Sequence, residues 1–187
     1  LSLRRQRQMC IRDRINGDGE SVGAAITKHP DVDMVSFTGS TRAGKAITIG
    51  AADTIKRVTL ELGGKSPNLL FADADLKSAS KISVDACFIN NGQSCDAASR
   101  LLVEKSVYDE VVELVCAEAA SVKVDDPMME GLHMGPVVNK NQFDNIQKLI
   151  KIGIDDGANL AVGGLGRPNG FRKGYYIKPT VFTDVDN

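Results

Sequence analysis

The sequence predicts an α/β protein built on a mostly parallel sheet. Short runs rich in strand-forming residues alternate along the chain with amphipathic helical runs. This alternation is the order expected when helices connect parallel strands, and no internal repeat interrupts it. Of the 187 residues, 42% are hydrophobic and 25% are charged, which is ordinary for a globular chain able to bury a core.

Six runs are predicted as strands, because each is short, rich in strand formers and bounded by glycine, proline or polar turn residues. In chain order these strands are residues 32–38, 57–62, 68–71, 100–103, 159–162 and 176–182. The last two flank the glycine-rich run 163–166. We interpret that run as a mobile surface turn, because no strong helix follows it.

Five helices are predicted from the spacing of apolar residues and from helix-end signals. They cover residues 20–28, 41–52, 76–88, a run that begins after Ser106, and residues 139–156. Pro30 ends the first helix, because the residue before a proline avoids the helical region. Ser106 is expected to cap the fourth helix, where Asp109 and Glu110 complement the helix dipole.

Charge and composition argue against several classes of function. Lys and Arg number 23 and Asp and Glu 24, so the net charge of −1 gives no global field for nucleic acid or an anionic membrane. No apolar run is long enough to span a bilayer. The four cysteines form no CxxC pair and only two histidines accompany them. This pattern argues against a zinc or other metal site and indicates a reducing, cytoplasmic compartment.

Residues 1–14 differ from the rest of the chain, because five arginines occur there with one acid and no apolar periodicity. A basic arm for nucleic acid is one interpretation, and no apolar core of a signal peptide follows the charges. The run more closely resembles the translation of a sequencing adapter joined to a truncated gene. We therefore expect a foreign or disordered leader.

One thiol lies in a polar, glycine-bearing loop, in the run Phe88-Ile-Asn-Asn-Gly-Gln-Ser-Cys95. A cysteine nucleophile needs a fixed backbone, access and polar neighbours, although most free cysteines are simply small buried hydrophobes. A second run, Leu60-Glu61-Leu62-Gly63-Gly64-Lys65-Ser66-Pro67, places a carboxylate at a strand end before a double-glycine turn. The carboxylate comes first, and 34 positions separate residue 61 from residue 95. In this order and at this spacing, the two runs resemble the paired active-site signatures of the NAD(P)-dependent aldehyde dehydrogenase superfamily.

The resemblance covers the chain from about Ile15 to Asn187. It implies an oxidoreductase that converts an aldehyde to a carboxylic acid with NAD or NADP as cofactor. Cys95 would be the nucleophile that forms a thiohemiacetal and then a thioester, and its backbone N–H would stabilise the oxyanion. Glu61 would be a semi-buried general base that activates the hydrolytic water.

A possible phosphate-binding turn, Phe37-Thr-Gly-Ser-Thr-Arg-Ala-Gly44, lies between a predicted strand and a predicted helix. Gly39, Gly44 and Lys45 nearly match a P-loop, but Ala46 stands where the magnesium-binding hydroxyl belongs. The resemblance instead implies a cofactor turn that includes Gly39, Ser40 and Gly44 and faces the dinucleotide pyrophosphate. A plain structural turn is the third interpretation.

Family members are about five hundred residues long, well above the usual length of one domain, so the sequence resembles a middle fragment with parts of two Rossmann-like parallel-sheet domains. We expect residues 15–62 to end the coenzyme-binding domain and residues 63–187 to begin the catalytic domain. The backbone at Leu62 would lie beside the nicotinamide. The whole protein is expected to be a homodimer or homotetramer without nucleic-acid or membrane partners, and the fragment to be inactive alone. The alternative is an inactive remnant of the same fold.

Three further residues near the predicted site carry expectations of their own. Cys87 and Cys116 lie on apolar faces of predicted helices, so we interpret both as packing residues. Asp96 follows the thiol directly, where the family usually has a small or uncharged residue. Its carboxylate would disfavour a thiolate if it faced the sulfur, and the effect would shrink if it pointed to solvent.

Overall fold

The computed structural model describes residues 13–186, so the predicted leader lies almost wholly outside the described residues. The chain divides into two compact units, Leu1–Gly63 and Gly64–Asn187, and the division falls inside the double-glycine turn. Each unit contains its own pair of parallel strands. No helix within residues 13–186 has the length and apolar character needed to cross a membrane.

The first unit is a parallel strand pair with a helix packed on one face. Its elements are a π-type helical turn (Gly19–Gly23), α1 (Ala24–Lys28), β1 (Met34–Gly39), α2 (Thr41–Ala51), a 3-10 turn (Ala52–Thr54) and β2 (Arg57–Leu62). Strands β1 and β2 pair in parallel, and α2 connects them. Along β2 the side chains alternate between exposed and half-buried, which is the period expected of a strand covered on one face.

The second unit combines parallel and antiparallel pairing. Its elements are β3 (Pro67–Leu70), α3 (Leu76–Phe88), a 3-10 turn (Ile89–Gly92), β4 (Arg100–Val103), a 3-10 turn (Lys105–Val107), α4 (Tyr108–Ser121), α5 (Lys140–Asp155), β5 (Asn159–Val162) and β6 (Val181–Thr183). Strands β3 and β4 are parallel, whereas β5 and β6 are antiparallel. The sequence pattern did not indicate the antiparallel pair.

Two groups of buried side chains hold the second unit together. Helices α3 and α4 pack against each other, and each of them contributes buried residues to the interior. A second group joins Met134, Val137 and Ile177, with Phe88 at the end of α3 packed against it. This second group, here called the 134–137–177 cluster, therefore supports the backbone just before the loop that carries Cys95.

Polar side chains cap the starts of helices α3 and α5. Asp75 accepts a hydrogen bond from the N–H of Ser78 at 3.2 Å at the start of α3. Asn139 accepts one from the N–H of Gln142 at 3.0 Å at the start of α5. Each bond satisfies an N–H that has no acceptor within its own helix.

Three local predictions were wrong in whole or in part. Ser106 does not cap α4, because its hydroxyl donates to a carboxylate oxygen of Glu104 at 2.6 Å and a 3-10 turn precedes the helix. The last strand is Val181–Thr183 rather than residues 176–182. The glycine run 163–166 is also not wholly a surface turn, since Gly164 is buried and its N–H donates to the hydroxyl of Thr180 at 3.1 Å.

Candidate active site

Hydrogen bonds of Ser40 close the turn between β1 and α2. The Ser40 hydroxyl oxygen accepts from the N–H of Ala43 at 3.2 Å, and its carbonyl oxygen accepts from the N–H of Gly44 at 2.9 Å. Ser40 is therefore the N-cap of α2. The N–H groups of Thr41 and Arg42 come before the first intrahelical bond, at the end of the helix where the dipole is positive.

Gly44 allows α2 to approach β2 closely. A Cβ at this position would lie 2.9 Å from Cδ2 of Leu62 and 3.5 Å from Cδ1 of Leu60. Gly44 is also buried, so the packing of helix on strand is sufficient to explain the glycine. Its contact with a dinucleotide stays a prediction.

The pairing of β1 with β2 places Glu61 beside the turn, because Thr38 is opposite Glu61 in the register. Predicted site residues thus meet at the carboxyl ends of two parallel strands, which is where open α/β sheets bind ligands. These residues are Gly39, Ser40, Gly44, Glu61 and Leu62. The expectation of a semi-buried Glu61 was wrong for this chain: the residue is exposed, because α2 covers the other face of β2.

Cys95 belongs to the second unit and lies between α3 and β4, in residues 89–99, here called the thiol loop. The loop starts with three left-handed residues, Asn90, Asn91 and Gly92, with φ of 51°, 58° and 70°. Asparagine and glycine tolerate this region better than other residues. The carbonyl oxygen of Asn90 accepts from the backbone N–H and from Nε2 of Gln93, at 3.1 and 3.0 Å. A tight local turn therefore precedes the thiol.

Contacts from distant parts of the second unit also hold the thiol loop. Nδ2 of Asn91 donates to the carbonyl oxygens of Gly135 and Pro136 at 3.1 and 3.4 Å. Nearer the thiol, a Cβ at Gly64 would lie 3.2 Å from the carbonyl oxygen of Cys95. The backbone at residue 64 thus passes close to the backbone of the candidate nucleophile.

Solvent access distinguishes Cys95 from the other described cysteines. Cys95 is exposed, whereas Cys87 and Cys116 are half-buried on α3 and α4. Burial raises the pKa of both half-buried thiols, and the charge of Lys65 opposes this shift at Cys87. A raised pKa leaves less thiolate at neutral pH, so both thiols are weaker nucleophiles than ordinary cysteines. Asp96 is exposed as well.

Asn91 and Gly64 both shape the thiol loop, although neither was predicted as a site residue. The Asn-Asn-Gly run was a usable signal, because consecutive residues of this kind favour left-handed turns. The distant acceptors of Asn91 gave no local signal. Within residues 13–186, no group of three or more His, Cys, Asp or Glu side chains is arranged to hold a metal ion.

In this α/β chain the first unit offers a capped helix start at parallel strand ends as a candidate nucleotide site, and the second unit offers an exposed thiol on a firmly held loop as a candidate nucleophile. The chain belongs to the aldehyde dehydrogenase family, whose family model matches residues 12–187. This membership confirms the predicted family.

Known relatives agree with this assignment. A 3-succinoylsemialdehyde-pyridine dehydrogenase of Pseudomonas sp is 48% identical over 172 residues, which are 92% of this chain and 36% of the relative. A crystal structure of an aldehyde dehydrogenase from Bartonella henselae matches with a TM-score of 0.90 and 52% identity, over 92% of this chain and 36% of that one. A mutant of aldehyde dehydrogenase C from Pseudomonas syringae, complexed with NAD+ and octanal, matches with a TM-score of 0.90 and 47% identity over the same shares.

Two conclusions follow from these matches. The predicted α/β fold of the aldehyde dehydrogenase type is confirmed. The chain spans only about a third of the length of the relatives it matches, as expected of a fragment.

Proposed function

We propose that the whole protein oxidises an aldehyde to a carboxylic acid with NAD or NADP, using Cys95 as nucleophile and Glu61 as general base. The observation that carries this proposal is the exposed thiol of Cys95, in a chain of the aldehyde dehydrogenase family. The loop that bears this thiol is held by the hydrogen bonds of Asn91 and lies close to the backbone at Gly64. The relative complexed with NAD+ and octanal supports the cofactor and the substrate class.

The residues of the first unit fit a dinucleotide at the turn. The N–H of Ala43 already donates to the hydroxyl oxygen of Ser40. The N–H groups of Thr41 and Arg42 are therefore the donors left for a pyrophosphate at the start of α2. Gly39 is needed for packing in the same turn, because a Cβ at this position would lie 2.5 Å from Cζ of Phe37. Leu62, opposite Gly39 in the register, would support the nicotinamide end. The bound cofactor supplies the hydride acceptor for the reaction.

Cys95 performs the covalent part of the reaction. Its thiolate adds to the aldehyde carbon and forms a thiohemiacetal, whose oxyanion accepts a hydrogen bond from the Cys95 backbone N–H. Loss of the hydride leaves a thioester on the same sulfur. Cys87 and Cys116 do not compete, because burial holds their thiols in the protonated form.

Glu61 completes the cycle as general base. Its carboxylate takes a proton from water, the resulting hydroxide attacks the thioester carbon, and the acid leaves while Cys95 regains its thiol.

The two compact units correspond to two domains of the whole protein in this proposal. Residues 15–62 end the coenzyme-binding domain, and residues 63–187 begin the catalytic domain. The whole protein is a cytoplasmic homodimer or homotetramer with a small aldehyde as substrate. A structure of the complete protein in which β1–β2 and β3–β4 form one continuous sheet would contradict the domain boundary.

The nucleophile can be tested in the protein restored to the length of its relatives. Cys95→Ala should abolish aldehyde oxidation while the dissociation constant of the dinucleotide stays within about twofold. Cys116→Ala is the matched control and should keep normal turnover, because Cys116 is half-buried on α4 and is not part of the thiol loop. Normal turnover by Cys95→Ala would show that the nucleophile is wrong. An unaltered protein that binds dinucleotide but oxidises no aldehyde would support the inactive remnant instead.

Residues 1–187 alone should be poorly soluble and inactive. Both Leu69 and Leu102, opposite each other in β3 and β4, are exposed on one face of that sheet, at 58% and 48%. Open apolar sheet faces and unpaired edges favour aggregation. Size-exclusion chromatography and an aldehyde assay test this expectation. A soluble monomer that turns over on the order of once per second or faster would contradict it.

A further inference from the structure

We propose that Asn91 is a positioning residue for Cys95, because its carboxamide fastens the thiol loop to Gly135 and Pro136. The inference rests on the proposed function, since it explains how the candidate nucleophile is held. Asn91 itself lies four residues before the thiol and acts on it through the backbone.

The geometry of Asn91 is specific. Its φ of 58° turns the backbone into the left-handed region, and its Nδ2 group bonds two carbonyl oxygens, at 3.1 and 3.4 Å. These acceptors lie 44 and 45 residues further along the chain. Two carbonyl acceptors also fix the orientation of the amide, because an oxygen in place of Nδ2 would face two other oxygens.

The acceptors themselves are firmly held. Met134 and Val137, which flank Gly135 and Pro136, are 4% and 3% exposed and belong to the 134–137–177 cluster. The N–H of Met134 donates to the carbonyl oxygen of Lys123 at 2.9 Å, and the N–H of Val137 donates to that of Tyr175 at 3.0 Å. Asn91 is therefore tied to a rigid part of the second unit.

The neighbouring asparagine offers a natural comparison. Asn90 is also left-handed, with φ of 51°, but its side chain donates at 3.4 Å to the carbonyl oxygen of Gln93, inside the thiol loop. Among the described side-chain hydrogen bonds of residues 89–99, those of Asn91 are the ones that leave the loop. The two residues share a backbone conformation and differ in what their amides reach.

The carbonyl oxygen of the Asn91 side chain lies in an energetically unfavourable position. Oδ1 is buried and has no hydrogen-bond partner among the described residues. Burying an unpaired carbonyl oxygen is unfavourable, so the two N–H bonds of the amide must offset that loss. The side chain is thus retained in the protein interior for the connection that it makes between the loop and the cluster.

Loss of this connection should affect the reaction rather than cofactor binding. A nucleophile displaced by a fraction of an ångström reacts more slowly, because the attack on a carbonyl depends on distance and alignment. The candidate cofactor residues lie in the first unit and have no part in the Asn91 contacts. We therefore expect kcat to fall while KM for the dinucleotide is preserved.

The experiment compares Asn91→Gly, Asn91→Asp and the control Asn90→Gly in the protein restored to the length of its relatives. Glycine keeps the left-handed backbone but removes the amide, and aspartate keeps the size but replaces the donor with an acceptor. Both Asn91 variants should lower kcat, and also the rate at which iodoacetamide carbamidomethylates Cys95, by about tenfold or more. KM for the dinucleotide should stay within about twofold, and Asn90→Gly should stay close to the unaltered protein.

Several results would overturn the positioning role. One is normal kcat per folded molecule in Asn91→Gly, and another is an equal loss of kcat in Asn90→Gly and Asn91→Gly. Failure of both Asn91 variants to fold would assign Asn91 a structural role instead. Cys95→Ala separates this test from that of the proposed function: if Cys95→Ala is inactive and Asn91→Gly is normal, only the inference about Asn91 fails.

Discussion

The turn at residues 39–44 and the thiol loop at residues 89–99 are held in different ways. Ser40 closes the turn with bonds to Ala43 and Gly44, only three and four positions away. The thiol loop instead depends on Asn91, whose acceptors lie 44 and 45 residues away, and on the close approach of Gly64. The turn is fixed by its own sequence, whereas the loop is fixed by the folded second unit.

This difference indicates which substitutions should disturb each part of the proposed reaction. The turn at residues 39–44 should survive many changes elsewhere, because a capped helix start is a local structure. The thiol loop should respond to substitutions far from it in sequence. Substitutions at three positions test this contrast, and they are given in order of decreasing expected effect.

Glu61→Gln tests the proposed role of this carboxylate as the general base of thioester hydrolysis. The amide cannot accept the proton of water, so steady-state turnover should fall by about a hundredfold or more. Rapid mixing should still show a burst of reduced dinucleotide, because the steps before hydrolysis remain. Glu20→Gln, a change of an exposed acid in the same unit, is the control and should leave turnover unaltered. A missing burst in Glu61→Gln would contradict the assignment to hydrolysis.

Gly64→Ala tests the distant support of the thiol loop. The new Cβ would lie 3.2 Å from the Cys95 carbonyl oxygen, so the backbone of one partner must shift by a few tenths of an ångström. We expect kcat to fall by roughly three- to tenfold with little change in KM for the dinucleotide. The matched control is Gly63→Ala, whose Cβ would meet nothing within 4 Å. Equal effects of the two substitutions would argue against this contact as a determinant of thiol position.

Substitutions at Ser40 separate the capping of α2 from the binding of phosphate. Ser40→Ala removes the cap and should cost about 1 kcal/mol of stability, which thermal unfolding measures. Ser40→Asp keeps a capping oxygen but places a negative charge at the proposed pyrophosphate site. It should preserve the melting temperature and raise KM for the dinucleotide severalfold. Unchanged KM in Ser40→Asp would mean that the phosphates bind elsewhere.

Much of the fold could be predicted, because its elements are encoded locally. Strands β2, β4 and β5 and helix α3 begin and end where the sequence patterns placed them. The strand predicted at residues 176–182 is wrong for most of its length for a tertiary reason. Ile177 is buried in the 134–137–177 cluster, and Pro179 has no N–H to donate to a neighbouring strand.

The candidate site was predictable to a similar extent. The resemblance of short motifs identified Cys95, Glu61 and the turn, and the roles of these residues stay predictions. The solvent exposure of Glu61 and the anchoring of Asn91 could not be read from the sequence. Both depend on which elements cover a strand face or approach a loop, and those elements lie far away along the chain.

The Asn91–Gly92 sequence is also a site at which the protein can deamidate. When glycine follows asparagine, its unhindered backbone nitrogen can attack the side-chain carbonyl, expel ammonia and form a succinimide that water opens to aspartate or isoaspartate. In the folded protein the Asn91 amide is held by two carbonyl oxygens, so the attack is restrained while the loop stays in place. Once the loop opens, ageing at this step would replace the donor with an acceptor and prevent the same anchoring from re-forming. Peptide mass spectrometry of stored protein would follow this conversion, and loss of activity should accompany it.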